Sequence, residues 1–134
     1  MVIQRPTSQM PTIMIIENDV GNRILVERIV SISGYRYLSA ADGRAALELL
    51  EHHPVDMILT DLSMPGLDGF GIARLLRARP EFADIPIVAL TAHAYEAERQ
   101  KALRMGCTDV LVKPYRPKEL LALIERHLAG AAQA

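Results

Sequence analysis

The sequence predicts an α/β fold, in which five parallel strands form one doubly wound sheet with helices on both faces. Two observations support this prediction. Apolar runs of strand length recur along the chain, and the segments between them carry apolar residues at helical spacing. A helical bundle is the alternative, but it would leave four aliphatic runs of strand length without an explanation.

The strands are predicted from continuous apolar runs, which are typical of parallel strands buried on both faces. The first run, 12–16, ends in the polar residues Glu17, Asn18 and Asp19. The run 35–40 is more polar, which places it near an edge of the sheet. The other strands are predicted over 55–60, 85–90 and 109–112.

The helices are predicted from apolar residues at helical spacing, with glycine or proline at several of their ends. Arg74 and Arg77 fall on the outward side of the third helix and are predicted to be solvated. The fourth helix has a thin apolar stripe, so we expect it to be loosely anchored. The first predicted helix ends at Gly34, and the second runs from Gly43 to His52. The third and fourth span 69–79 and 94–105, and the fifth begins at Pro117.

The composition is that of one globular domain. The chain has 134 residues, of which 50% are hydrophobic and 23% charged. A formal net charge of -1 gives no electrostatic basis for direct binding to nucleic acid or to an anionic membrane, so the expected partner is a protein or a small ligand. Cys107 is the only cysteine, which excludes an internal disulfide and a cysteine zinc cluster, fits a reducing cytosol and predicts a small core residue.

The ends of the chain carry no targeting signal in their composition. Residues 1–11 lack the basic start and apolar centre of a signal peptide, and no apolar run is long enough to span a bilayer, so we expect a cytoplasmic protein. We predict a flexible N-terminal arm over 1–11, one domain over 12–128 and a flexible tail over 129–134, with no attached output domain.

Polar residues follow four of the five predicted strands. Because the carboxyl ends of parallel strands lie on one edge of a sheet, these side chains should meet there. Two close carboxylates repel unless a cation joins them, and oxygen ligands suit Mg²⁺. A lysine and a hydroxyl beside them suit a phosphoryl group, which predicts an aspartate that attacks phosphorus. The residues concerned are Glu17, Asn18 and Asp19 after the first strand, Asp61 after the third, Thr91 after the fourth and Lys113 after the fifth. The structural alternative is that acids at strand ends only cap the following helices.

From about Thr12 to Leu128 the chain resembles the CheY-like receiver domains of response regulators in two-component and phosphorelay signalling. The landmarks are Ile-Ile-Glu-Asn at 15–18, Thr-Asp-Leu-Ser-Met-Pro-Gly-Leu-Asp-Gly at 60–69, Ala-Leu-Thr-Ala-His-Ala at 89–94 and Lys-Pro at 113–114. The resemblance implies a flavodoxin-like (βα)5 receiver fold and a single-domain response regulator that signals by docking. Such a protein is not an enzyme that acts on a separate substrate.

The same resemblance assigns the site. It implies that Asp61 accepts a phosphoryl group from a histidine kinase or a histidine phosphotransfer protein, and that Thr91 and Lys113 contact this group. It implies Mg²⁺ bound by Glu17, Asn18, Asp61 and the backbone carbonyl of Ser63, and a cis bond between Lys113 and Pro114. A downstream protein target is expected on the face formed by helix 4, strand 5 and helix 5, which includes Arg104, Val112 and Tyr115, and a homodimer is a further option.

Two positions depart from the family pattern. Asn18 stands where a second acid is usual, which lowers the expected Mg²⁺ affinity, and Asp19 is expected to point to the opposite face. Val110 stands where an aromatic ring commonly swings inward, and Tyr115 is a candidate replacement. These departures motivate an alternative function, a phosphorylation-independent interaction module with a weakened metal site.

Two more residues bear on the predicted site, one two positions after Asp61 and one two positions after Thr91. Ser63 and His93 flank the expected phosphoryl site, where they either tune the access of water or simply face solvent. Ser63 also bears on a third function, a metal-dependent phosphohydrolase, because it occupies the position at which such enzymes carry a second carboxylate. The sequence therefore disfavours the phosphohydrolase.

Overall fold

The computed structural model describes residues 10–93 and 95–133, without the side chains of 130–133. Most of the predicted N-terminal arm therefore lies outside the described residues. The strands and helices alternate along the chain, with one turn of 3-10 helix before the fourth strand. They are β1 (Thr12–Ile16), α1 (Val20–Ile32), β2 (Arg36–Ala40), α2 (Gly43–His52), β3 (Met57–Asp61), α3 (Gly69–Arg77), the 3-10 turn (Pro80–Phe82), β4 (Ile87–Thr91), α4 (Glu96–Met105), β5 (Asp109–Val112) and α5 (Pro117–Gln133).

The five strands form one parallel sheet in the order β2-β1-β3-β4-β5. The α/β doubly wound fold is therefore confirmed, and the chain order reverses between β1 and β3. β2 is an edge strand, as its polarity predicts, and β3 and β4 are buried along their whole length. Parallel strands covered on both faces read as continuous apolar runs, which is why they stand out in the sequence.

The core has two parts, one on each face of the sheet, because successive strand residues point to opposite faces. Ile13 and Ile15 pack against α1 and α5, whereas Met14 and Ile16 pack toward α2 and α3. Cys107 is 5% exposed and belongs to the second of these parts, which confirms its prediction as a core residue. Burial raises the pKa of the Cys107 thiol to about 11.

Three aspartates cap the N-termini of helices, and Glu17 and Asp61 are not among them. Asp19, Asp42 and Asp68 each accept a hydrogen bond from the backbone N–H three residues later, at 2.8, 2.8 and 2.9 Å. This satisfies N–H groups that have no partner within the helix. Asp19 is therefore engaged as the cap of α1, whereas neither Glu17 nor Asp61 caps a helix.

Several element boundaries differ from the sequence prediction for local reasons. β4 begins at Ile87 rather than Ile85, because Pro86 has no N–H to donate to a neighbouring strand. α3 ends at Arg77, since the residue before Pro80 disfavours the helical conformation. α5 continues to Gln133, beyond the predicted domain end at Leu128, because the alanines that follow are strong helix formers.

Arg77 corrects one prediction outright. The sequence places it on a solvated face, but its guanidinium donates to the carbonyl oxygens of Gly106, Phe82 and Ala83, at 2.8, 2.6 and 3.2 Å, and to Oγ1 of Thr108 at 3.1 Å. Burial lowers the pKa of Arg77 despite nearby Cys107 and Asp84. Arg77 thus ties the end of α3 to the 3-10 turn, to the end of α4 and to the start of β5.

α4 is anchored mainly at its C-terminal end. Ala102 is its only buried residue, and Tyr95 at its start provides no side-chain cap. At the other end Gly106 adopts a positive φ of 116°, which glycine tolerates, and its N–H bonds to the carbonyl of Leu103 at 3.2 Å. None of the helices in the described ranges is long and apolar enough to cross a bilayer.

Candidate functional site

Asp61 is the last residue of β3, the central strand, and is 9% exposed. The backbone N–H of Ser63 donates to its Oδ1 at 2.9 Å, which holds the carboxylate in one orientation. Gly69 packs against the Asp61 carbonyl so closely that an added Cβ would collide with it. The first position of α3 therefore requires glycine, and this close packing fixes the backbone beneath the carboxylate.

Lys113 reaches this carboxylate from the end of β5. Its Nζ lies 3.3 Å from Oδ2 of Asp61 and 3.6 Å from Oε2 of Glu17, and its side chain is 20% exposed. The Lys113–Pro114 bond is cis, as predicted, and the Lys113 N–H donates to the Thr91 carbonyl at 2.6 Å. One ammonium group therefore faces two carboxylates at the carboxyl edge of the sheet.

Glu17, at the end of β1, is almost fully buried, with 2% exposure. Its Oε1 accepts from the Asp19 N–H at 3.3 Å and from Nδ2 of Asn22 at 3.4 Å. Its Oε2 is buried without a hydrogen-bond partner. Burial, with the adjacent carboxyl group of Asp61 and its negative charge, raises the pKa of Glu17 to about 7, although Lys113 opposes this. This carboxylate is thus poorly satisfied unless a cation joins it.

Thr91 ends β4 and is 2% exposed. Its Oγ1 accepts a hydrogen bond from the backbone N–H of His93 at 3.1 Å, and the hydroxyl still carries its own hydrogen to donate. The side chain of His93 is exposed and stacks on Tyr95, with ring centroids 6.2 Å apart. The loop after β4 therefore holds the Thr91 hydroxyl while its own aromatic residues face outward.

The structure places Asn18 and Glu17, two predicted Mg²⁺ ligands, in different environments. Asn18 is exposed, whereas Glu17 beside it is buried. Asp19, considered as a substitute, uses Oδ2 to cap α1 through the Asn22 N–H. Among the described residues no cluster of three or more His, Cys, Asp or Glu could hold a metal ion. The oxygen donors at this edge fit Mg²⁺, because Oε2 of Glu17 is buried beside Asp61 without a hydrogen-bond partner. The edge supplies two carboxylates, Glu17 and Asp61, where an acid at position 18 would make three.

Val110 and its candidate replacement Tyr115 lie on opposite faces of the sheet. Val110 is 7% exposed and packs in the core between the sheet and α2, α3 and α4. Tyr115 packs against the core beneath α1 and α5. Its ring therefore approaches from the other side of the sheet and does not occupy the place of an aromatic residue at Val110.

The chain is similar to known proteins in both sequence and fold. Residues 13–125 match the family model for the response regulator receiver domain. The chain belongs to this family. Its fold is also similar to that of CheY4, a chemotaxis protein of Vibrio cholerae, with a TM-score of 0.84 and 30% identity over 88% of this chain and 98% of that one.

Two further relatives of this receiver domain are informative. The receiver domain of the sensor histidine kinase PA1611 from Pseudomonas aeruginosa PAO1, in a structure with a magnesium ion in the active site cleft, has a TM-score of 0.83 and 33% identity over 90% of this chain and 99% of that one. A probable transcriptional regulator, ycf27, of Porphyridium aerugineum is 39% identical over 94% of this chain and 51% of its own length. The receiver domain thus spans about half the length of the ycf27 relatives that it matches.

As a receiver domain, the chain is a signalling module of two-component systems, a class whose members interact with histidine kinases and downstream targets and bind Mg²⁺ at the active site. Sequence reasoning brought together Asp61, Glu17 and Lys113, and the structure places these three in contact. It did not single out Asn22, which contacts Glu17 from α1. The signal available for Asn22 was its position one helical turn after the acidic strand end.

Proposed function

We propose that Asp61 is the phosphoacceptor of a two-component or phosphorelay pathway and takes its phosphoryl group from a histidine on a kinase or phosphotransfer protein. The observation that carries this proposal is the position of Lys113 Nζ, 3.3 Å from Oδ2 of Asp61. A carboxylate oriented by a backbone N–H and placed beside a fixed cation has the charge arrangement that phosphoryl transfer needs.

In this reaction a carboxylate oxygen of Asp61 forms a bond to phosphorus as the bond between phosphorus and the histidine nitrogen breaks. The ammonium of Lys113 binds the negative charge on the phosphoryl oxygens, and the Thr91 hydroxyl is the nearby group that can donate to them. The Ser63 N–H holds Asp61 in place throughout. Asp61 is 9% exposed, so few water molecules can solvate its carboxylate.

Mg²⁺ would be held by Glu17, Asn18, Asp61 and the backbone carbonyl of Ser63. When bound, it supplies positive charge for the phosphoryl oxygens. The buried Oε2 of Glu17, which has no hydrogen-bond partner, supports this assignment. Asn18 contributes an amide oxygen without charge, so the proposed affinity is below that of a site with three acids.

The output surface is proposed on α4, β5 and α5. Arg104 is exposed there, Val112 is 38% exposed and Tyr115 is half-buried. A downstream protein target would dock on this face once Asp61 is modified, and a second copy of the chain is the alternative occupant. A similar 14.6 kDa protein of Leptolyngbya boryana is 35% identical over 86% of this chain and 88% of its own length, so a relative of about this size occurs.

Mass spectrometry tests the phosphoacceptor directly. Incubation with Mg²⁺ and acetyl phosphate should add the mass of one phosphoryl group to the intact protein. Asp61→Asn should abolish the adduct, whereas Asp84→Asn, which neutralises an exposed carboxylate after the 3-10 turn, should retain it. A protein that gains no phosphoryl group from acetyl phosphate, phosphoramidate or phosphoimidazole would overturn the proposal.

A phosphorylation-independent interaction module is the second candidate. It is supported by the exposed amide of Asn18 and by the valine at position 110. Titration of Mg²⁺ separates the two functions. Binding in the millimolar range or tighter supports the phosphoacceptor, whereas a protein that takes up no Mg²⁺ supports the interaction module.

A further inference from the structure

The start of α1 holds Glu17 by both its side chain and its backbone. Oε1 of Glu17 accepts hydrogen bonds from the backbone N–H of Asp19, at 3.3 Å, and from Nδ2 of Asn22, at 3.4 Å. The backbone carbonyl of Glu17 accepts from Nη1 of Arg23 at 3.0 Å. Asn22 is itself fixed, because its own N–H donates to Oδ2 of Asp19 at 2.8 Å. Asn22 thus supplies a side-chain donor to the Glu17 carboxylate from the first turn of α1.

The two carboxylate oxygens of Glu17 are therefore unlike each other. A carboxylate oxygen has two lone-pair directions, and the two donors to Oε1 occupy both. Oε2 is buried and accepts no hydrogen bond, although Nζ of Lys113 lies 3.6 Å from it. The same ammonium group lies 3.3 Å from Oδ2 of Asp61. Glu17 thus presents Oε2 to the site and turns Oε1 toward α1.

This difference between the two oxygens bears on the choice of cation. Mg²⁺ demands near-octahedral geometry, keeps several waters and takes few carboxylates, whereas Ca²⁺ takes more oxygens in a flexible shell and accepts both oxygens of one carboxylate. A carboxylate whose Oε1 is already engaged can offer only Oε2. Because Asn18 adds no charge, the site also lacks a further carboxylate with which to complete the shell of the larger ion. The arrangement therefore suits Mg²⁺ better than Ca²⁺.

We propose that Asn22 is a positioning residue that makes the site selective for Mg²⁺ over Ca²⁺, because it keeps Oε1 of Glu17 bound to α1 and leaves Oε2 for the cation. The inference rests on the metal site of the proposed function, in which Asn22 is not itself a ligand. Both hydrogen bonds to Oε1 are long, so the loss of one should be enough to free this oxygen. Both oxygens of Glu17 could then bind one cation, which benefits Ca²⁺ more than Mg²⁺.

Asn22→Ala isolates this contact from the folding of α1. The side chain of Asn22 is exposed, and alanine keeps the backbone N–H that Asp19 caps. Alanine is also a better helix former than asparagine, so the helix should not be weakened. Arg23 still holds the backbone carbonyl of Glu17 in this variant. Its expected effect is therefore confined to the orientation of the Glu17 carboxylate.

The test measures the affinities for MgCl₂ and CaCl₂ by isothermal titration calorimetry. Asn22→Ala should lower the ratio of the Ca²⁺ dissociation constant to the Mg²⁺ dissociation constant by about fivefold, since residues that orient a metal ligand tune its affinity. Ser31→Ala is the control, because it removes a small neutral polar side chain from an exposed position at the far end of the same helix. The ratio in Ser31→Ala should equal that of the parent protein.

Infrared spectroscopy gives a second measurement that does not depend on affinity. The separation between the antisymmetric and symmetric carboxylate stretches narrows when a carboxylate binds a cation through both oxygens. The difference spectrum between the Ca²⁺-bound and the metal-free protein should therefore contain a narrowed pair of bands in Asn22→Ala that the parent protein and Ser31→Ala lack.

The outcomes separate this inference from the proposed function. A ratio that is the same in Asn22→Ala and in a parent protein that binds Mg²⁺ would overturn the role of Asn22 and leave the metal site intact. An equal fall of the ratio in Asn22→Ala and Ser31→Ala would also overturn it, because the effect would belong to the helix rather than to the amide. A parent protein that binds neither cation would overturn the metal site of the proposed function and the role of Asn22 with it.

Discussion

The ammonium group of Lys113 lies 3.6 Å from Oε2 of Glu17, the carboxylate oxygen that accepts no hydrogen bond. At this distance the two groups attract each other without forming a hydrogen bond. Lys113 is closer to Asp61, at 3.3 Å, so one cation is shared between two acids. The edge of the sheet therefore holds negative charge that the chain itself leaves incompletely neutralised.

This shortage of neutralising charge predicts the effect of restoring an acid at position 18. Asn18→Asp should raise the affinity for Mg²⁺ by about tenfold, because it adds a charged oxygen ligand beside Glu17. Isothermal titration calorimetry with MgCl₂ measures the change. Gln100→Glu adds the same charge on exposed α4 and should leave the affinity unchanged. An equal gain in both variants would assign the effect to net charge rather than to ligation.

Glu17 predicts a pH-dependent stability for the metal-free protein. Its pKa is raised to about 7 in the folded chain by burial and by Asp61, so folding costs free energy once the pH rises from about 4.5 through 7 and the group ionises. Glu17→Gln should therefore stabilise the protein at pH 8, by up to roughly 3 kcal/mol, and change little at pH 4.5. Thermal unfolding with a chelator measures this, and a gain that is the same at both pH values would contradict it.

Asp109 predicts the opposite dependence on pH, at the amino end of β5. Burial alone would raise its pKa, but hydrogen bonds from His127 Nε2 at 2.9 Å and the Val110 N–H at 2.8 Å, with the charges of His127 and Arg126, lower it overall. The stabilisation is therefore present at neutral pH and is lost as the pH falls through this lowered pKa. Asp109→Asn should cost about 1–2 kcal/mol at pH 7 and less in acid.

Urea denaturation across this range checks the Asp109 prediction. Glu125→Gln, on the same helix as His127, provides a comparison for the loss of one negative charge. A cost of Asp109→Asn that stayed constant from neutral to acidic pH would show that packing, rather than the carboxylate charge, accounts for it.

Arg77→Ala should destabilise the protein by about 2–3 kcal/mol, because it leaves the carbonyls of Gly106 and Phe82 without their donor. Arg74→Ala removes the same side chain from an exposed position of α3 and should cost less than about 0.5 kcal/mol. Hydrogen exchange should also show earlier opening at the C-terminal end of α4 in Arg77→Ala. Equal stability of the two variants would mean that these hydrogen bonds contribute nothing net.

The sequence predicts the elements of this site better than the contacts that support it. Asp61, Glu17, Thr91 and Lys113 follow buried apolar runs, and the topology of a parallel sheet brings such strand ends to one edge. Topology alone thus indicates which residues meet.

Arg77 could not be assigned in the same way. Its main partners are backbone carbonyls, one of them 29 residues away, and a carbonyl carries no residue-type signal. A cleft beside Asp61 is lined by residues from three separate segments of the chain, so no local sequence pattern predicts it. Proximity in sequence makes Tyr115 a candidate for the aromatic ring that Val110 lacks, but the two residues belong to opposite faces of the sheet.

The shallow packing of α4 has a consequence for how receiver domains of this type diverge. Apart from Ala102, the residues of this helix contribute little to the core, and its C-terminal end is secured by Gly106 and Arg77. Surface substitutions away from such anchors usually change stability very little. Mutations can therefore accumulate along α4 without penalty to folding, so that duplicated copies of the gene could acquire separate recognition codes while the chemistry around Asp61 stays the same.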